Sequence, residues 1–212
     1  MKHLFTYLLG LLLLASPTLA QTTDPVRQKL DDIFANLDKS RIPTGRLLEA
    51  AVPLGPVASF NGVLRDSARA DMDAFRHLYA TALSARLAGP EDLPDIQTYN
   101  QRVSNAAPRI PGAPIAVAVQ YIGYNYLRPD AETAGLVTIH NEQLYDGDLA
   151  LESPYQPALL FAAAPVRSYS PSANVALMLS SSLYLNSGTL AFSHLPTAYL
   201  DFGDGQGYRT AS

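Results

Sequence analysis

The sequence contains no cysteine and no tryptophan. The first absence excludes both a disulfide framework and a thiolate metal site, so the chain holds together by packing alone. The second leaves aromatic bulk to 12 tyrosines and 7 phenylalanines. Charge is sparse as well, at 16% of residues, with a formal net charge of −4. A basic patch of the kind nucleic-acid binding needs is missing. His77, His140 and His194 stand far apart and fit neither H-x-x-x-H nor H-E-x-x-H. There is no G-x-S-x-G, no G-x-G-x-x-G and no G-x-x-x-x-G-K-[ST], so neither a hydrolase nucleophile elbow nor a phosphate-cradling loop has a motif behind it.

What is present starts with an export signal. Met1-Lys2-His3 is short and basic, Leu4 to Ala15 is apolar, and Thr18-Leu19-Ala20 sets small residues before Gln21. That pattern predicts a signal peptide over residues 1–20, cleaved after Ala20. The apolar run of about 12 residues is too short for a bilayer, which takes roughly 20, so no membrane span is expected after cleavage. The expected location is secreted or cell surface.

Charge then divides the remainder. Residues 21–112 carry twice as many charged side chains as residues 113–212, and Ser168 to Leu200 carries none. Pro108, Pro111, Gly112 and Pro114 sit on the boundary, which predicts a helical lead-in over 21–107, a Pro-rich linker over 108–114 and a β-rich region over 115–212. In the lead-in, Asp24-Pro25 is a helix start, and Leu30, Ile33, Phe34 and Leu37 share the inner face of a helix that ends near Lys39-Ser40. Arg46 to Ala51 is read as another helical turn. The clearest helix is expected from Ser67 to Ala88, capped by Asp66 and stopped by Gly89-Pro90, with Met72, Phe75, Tyr79, Ala82 and Leu83 as its apolar stripe. A third is expected from Pro94 to Ser104, capped by Asp92.

Beyond Pro114 the period changes to two. Ile115, Val117, Val119 and Tyr121 alternate with Ala116, Ala118 and Gln120, and Tyr124 and Tyr126 follow past Gly123. Apolar or β-branched runs at 134–139, 159–162 and 176–185, then Leu190, Phe192, Tyr199 and Phe202, are separated by turn-formers such as Arg128-Pro129-Asp130, Asp146-Gly147-Asp148 and Asn186-Ser187-Gly188. Short strands at this spacing imply an antiparallel β-sandwich-like region rather than βαβ units. The expected fold class is therefore α+β.

Candidates for chemistry are few. Asp146, Asp148, Asp201 and Asp204 are oxygen donors in turns and are the residues a calcium ion would use, although neither pair completes a D-x-[DN]-x-[DN]-G loop and tight turns use Asp and Gly anyway. Glu142, Asp146, Asp148 and Glu152 are carboxylates available for glycosidase chemistry, which needs two of them across a cleft. Neither a catalytic residue nor a cofactor is assigned. Tyr121, Tyr124, Tyr126 and Tyr184 could offer aromatic faces to a sugar.

Leu200-Asp201-Phe202-Gly203-Asp204-Gly205 resembles the W-D-F-G-D-G signature of PKD domains, with Leu200 in place of the usual Trp. PKD domains are immunoglobulin-like modules of many secreted bacterial proteins. The resemblance implies an immunoglobulin-like sandwich and, because the signature comes early in such modules, a chain that belongs to a larger multidomain protein. The layout, with Leu37 to Leu87, also resembles the N-terminal portion of such proteins. The functional expectation is a non-catalytic exported scaffold or adhesion/binding segment, whose partner is a cell-surface glycan or protein. The alternatives are a carbohydrate-binding module, or a piece of a secreted hydrolase whose catalytic part lies downstream.

Overall fold

The computed structural model describes residues 24–63, 70–89, 92–107, 110, 112–148, 152–169, 175–187, 199–200, 205–207 and 209–210. The chain is α+β. Helices α1 (Pro25–Ile33), α2 (Met72–Ser84) and α3 (Ile96–Ala106) precede strands β1 (Ile115–Leu127), β2 (Val137–His140), β3 (Gln143–Asp146), β4 (Tyr155–Pro165), β5 (Leu177–Ser187), β6 (Tyr199–Leu200) and β7 (Arg209–Thr210). Among the described residues no helix is long and apolar enough to cross a membrane. The expected signal peptide lies outside the described residues.

Each helix opens on an aspartate whose side chain accepts an orphan backbone N–H. Asp24 takes Val26 N at 3.0 Å, Asp71 takes Ala74 N at 2.8 Å and Asp95 takes Thr98 N at 2.8 Å. Two boundaries therefore differ from the sequence reading: α2 starts at Met72 behind Asp71, and α3 starts at Ile96 behind Asp95. Asp66 lies outside the described residues, and Asp92 pairs with Arg46 instead. Helix α2 also ends at Ser84, short of Gly89, because the chain leaves it to pair with residues 45–47. The amides of Leu87 and Ala88 donate to Gly45 O, and Leu47 N donates to Ala85 O. Gly45 suits this contact: its φ is +67°, and a Cβ there would sit 2.5 Å from Ala88 O. Helix α1 stops at Ile33. The chain then turns so that Phe34 and Leu37 enter a core, and Asp38 caps a 3-10 turn at Lys39–Arg41. The expected helical turn near residues 46–51 is the 3-10 turn Leu48–Ala50.

The largest sheet has the order β4-β1-β5. Strands β1 and β4 are antiparallel, from Val117↔Pro165 to Leu127↔Tyr155. Strands β1 and β5 are parallel, from Ile115↔Leu177 to Ile122↔Ser187, with a register shift between Val117 and Val119. This corrects the expectation of antiparallel pairing throughout. The reason is connectivity. Strand β4 ends beside the start of β1, and β5 also begins there, so the chain steps across the end of β1 and must then run alongside it in the same direction. Strands β2 and β3 form an antiparallel hairpin closed by Asn141 and Glu142, both at positive φ (50° and 62°), the conformation that two-residue hairpin turns require. Asp146 is consequently the last residue of β3 rather than part of a turn. Strands β6 and β7 pair as Tyr199↔Thr210 and Leu200↔Arg209, on either side of the DFGDG stretch. Of that stretch only Gly205 is described, exposed and at φ +78°.

Alternation in β1 gives the sheet two faces. Ala116, Ala118, Ile122 and Tyr124 join Leu160, Ala162, Ala164, Leu183 and Leu185 under Phe75, Tyr79 and Ala82 of α2 and Tyr99 and Val103 of α3. Four alanines on this face let the helices approach closely. Among the described residues this face is covered by helices and not by a second sheet. A second core joins Phe34, Leu37, Ile42, Leu47 and Ala50 to Ala131, Leu136, Val137, Leu144 and Tyr155. Both cores mix residues from either side of the 108–114 boundary. The drop in charge there marks a change of secondary structure, not a division of the core.

Candidate functional site

The aromatic residues of the sheet sort by parity. Tyr124 is buried on the helix side, and that burial pushes its phenol up from its ordinary value. Tyr126 shares that side, and its hydroxyl donates to Gln156 Oε1 at 2.6 Å. Tyr121 and Tyr184 lie on the opposite, outer face and are half-buried. Tyr121 pairs directly with Phe161 across β1 and β4, and Tyr184 sits on β5 beside Val119. Burial, and then the nearby Tyr121 hydroxyl, push the Tyr184 phenol up from its ordinary value. At the other end of the row Phe60 stacks on Phe161, with ring centroids 4.9 Å apart and planes inclined by 29°. Phe60 is held there because its backbone N–H donates to Leu159 O at 2.7 Å. The result is a row of four rings, Phe60-Phe161-Tyr121-Tyr184, running across all three strands. Chemically it is an apolar strip with phenol groups at one end. Sequence reading found Tyr121 and Tyr184 but grouped them with Tyr124 and Tyr126. Phe60 and Phe161, about a hundred positions apart, carried no shared signal.

The acidic candidates are dispersed among partners of their own. Asp146 accepts from the Tyr155 hydroxyl at 2.8 Å, from Asp38 N at 2.5 Å and from Arg41 Nη1 at 3.4 Å. Glu142 is exposed and lies 3.9 Å from Lys29 Nζ, and Glu152 pairs with Arg128 at 2.5 Å. Asp148 is described but heads no cluster. Asp201 and Asp204 lie outside the described residues, as does His194. Among the described residues no group of three or more His, Cys, Asp or Glu is placed to hold a metal ion. His77 is exposed on α2, and its backbone carbonyl accepts from the Thr81 hydroxyl at 2.9 Å. His140 sits edge-on to Tyr145, with centroids 5.9 Å apart.

One carboxyl escaped the sequence reading. Glu49, in the 3-10 turn, lines a cleft of about 360 Å³ together with Leu48, Ala51, Pro53, Gly55, Pro56, Val57 and Thr81. Desolvation raises its carboxyl above the ordinary value, against the pull of the Leu127 N–H bond at 3.0 Å. The available signal was a lone acid inside the apolar run Leu47 to Val52. A folded-state pKa above the unfolded one means stability is lost as pH rises through the folded value. Glu49→Gln keeps an acceptor for Leu127 N–H and removes the ionisation. Its Tm is expected to exceed that of the parent at pH 7 and to converge with it at about pH 4 and below; differential scanning fluorimetry across pH checks this.

The chain matches no family model, no curated protein and no solved structure.

Proposed function

We propose that this chain is a non-catalytic, exported scaffold or adhesion segment of a larger secreted or cell-surface protein, and that it binds through the outer face of β4-β1-β5. The observation that carries this reading is the row of four rings on a half-buried face. Soluble domains rarely leave a contiguous apolar strip without a use for it. The signal-like start and the PKD-like stretch support the exported, multidomain part.

A second reading, carbohydrate binding, draws on the same row: planar rings stack on sugar rings, and phenol groups bond their hydroxyls. The competing use of this face is structural. In the sandwich implied by the PKD resemblance, a second sheet would lie over Val117, Tyr121, Phe161 and Tyr184.

Nitration of the purified mature chain with tetranitromethane, read by peptide mass mapping, separates the two uses. Modification of Tyr121 and Tyr184 supports a binding face; protection of both overturns it in favour of a closed sandwich. Glycan-array profiling then tests the ligand class. Hits weakened at least tenfold by Tyr121→Ala/Tyr184→Ala support the carbohydrate reading, and an array without hits overturns it.

A further inference from the structure

Asn61 is the one asparagine of the chain that a glycine follows. It comes directly after Phe60, whose backbone N–H is bonded to Leu159 O. Asn61, Gly62 and Val63 are all exposed. Gly62 stands at φ +86°, and a Cβ there would meet nothing within 4 Å. Its N–H has no hydrogen-bond partner among the described residues. The Asn61 side chain folds forward instead, with Oδ1 accepting from Val63 N at 3.0 Å. That bond closes an Asx turn around the Gly62 amide. An amide carbonyl, a backbone nitrogen with no neighbouring side chain to shield it, and a donor on the carbonyl oxygen thus meet in one exposed turn.

We propose that Asn61-Gly62 is a self-modification site, at which the asparagine converts to aspartate and isoaspartate through a cyclic imide. Gly62 N loses its proton to solvent base and attacks Asn61 Cγ. The new bond closes a five-membered ring, and the charge that develops on Oδ1 is met by the Val63 N–H. The tetrahedral carbon then collapses, and Asn61 Nδ2 leaves as ammonia. Water opens the imide at either carbonyl. Opening at the backbone carbonyl leaves isoaspartate, and opening at the side-chain carbonyl leaves aspartate. The sum consumes one water and releases one ammonia, with no oxidant, reductant or cofactor. The other asparagines lack one part or another. Asn125 is buried, the amide after Asn36 donates to Phe34 O, and Asn141 is followed by Glu142, whose side chain crowds the amide. Either product places a carboxylate one residue from Phe60, whose ring ends the outer-face row against Phe161. Isoaspartate also lengthens the backbone there by one methylene.

The test is incubation of the purified chain in warm, mildly alkaline buffer, followed by peptide mass mapping, with isoaspartate measured by enzymatic methyl transfer. Asn61 is expected to show the mass gain of amide-to-acid conversion at least tenfold faster than Asn141, with isoaspartate as the larger product. Gly62→Ala, which shields the nitrogen in an open turn, is expected to slow the conversion at least tenfold. Asn61→Gln, one methylene too long for the five-membered ring, is expected to do the same at that position. A free peptide from Ala58 to Val63 gives the rate without the fold. Asn61 left intact in the chain after the peptide has converted would overturn the proposal, because the fold would then be withholding the turn. Earlier conversion of Asn141, an unslowed Gly62→Ala, or aspartate formed without isoaspartate would overturn it as well, the last by showing direct hydrolysis with no imide.

Discussion

Phe75→Asp is expected to abolish the cooperative thermal transition and drive the chain into the insoluble fraction. Phe75 is fully buried where α2 meets the sheet. Its ring lies 5.9 Å from that of Tyr99, which in turn lies 4.9 Å from Tyr79, so three rings from two helices form the centre of the larger core. Its backbone carbonyl accepts from Gln120 Nε2 at 3.3 Å, tying α2 to the middle of β1. Losing the ring alone costs about 3–5 kcal/mol, as for other buried Phe truncations. Burying an unpaired carboxylate adds several kcal/mol more. Together these approach the whole of a typical domain's stability, about 5–15 kcal/mol, and no disulfide holds the chain while the core is lost. Phe75→Leu, which keeps an apolar side chain of nearly the right volume, is expected to stay soluble with a lower Tm. Circular dichroism melts of the soluble fractions check both. An unchanged melt for Phe75→Asp would take α2 out of the core.

What the sequence made legible was whatever depends on neighbours along the chain. Asp24-Pro25 announces α1, and the alternation from Ile115 announces β1, because a cap and a two-residue period are local properties. Even the division of the tyrosines was available: Tyr121 and Tyr124 differ in parity, and a strand sends odd and even positions to opposite faces. What was not legible depends on partners far away. Asp92 and Asp95 are equally good caps by position; the choice falls to Asp95 because the buried guanidinium of Arg46, 46 residues earlier, engages Asp92. The direction of β5 follows from where β4 ends, which no side-chain pattern in β5 records. The aromatic row is half visible for the same reason. Two of its rings sit on strands whose alternation shows, whereas Phe60 joins through a backbone bond from a segment rich in proline and glycine that reads only as extended chain.

Asp146→Ala is expected to lower Tm by about 10 °C, on the scale of 2–4 °C per kcal/mol for a chain of this size. The Asp146 side chain is 9% exposed and joins three segments. It accepts from the backbone of Asp38 and the guanidinium of Arg41 in the N-terminal segment, and from the hydroxyl of Tyr155 at the start of β4. Arg41 also lies over the Tyr155 ring, 6.0 Å from its centroid. Removing the carboxylate leaves a buried hydroxyl, a backbone N–H and a largely buried cation without their acceptor, a loss of about 3–5 kcal/mol. Asp146→Asn, which retains one acceptor oxygen, is expected to fall between the parent and Asp146→Ala. A second readout follows from Tyr155, whose phenol is pushed well above its ordinary value by burial first and by the bond to Asp146 next. Without Asp146 the burial effect persists and the bond does not, so ultraviolet titration of the variant should show Tyr155 ionising earlier than in the parent yet still later than a free tyrosine. The same variant decides the calcium reading of Asp146. A structural clamp predicts that a chelator leaves the parent's Tm unchanged; if chelation reproduced the loss seen in Asp146→Ala, the carboxylate would be serving an ion instead of Asp38, Arg41 and Tyr155.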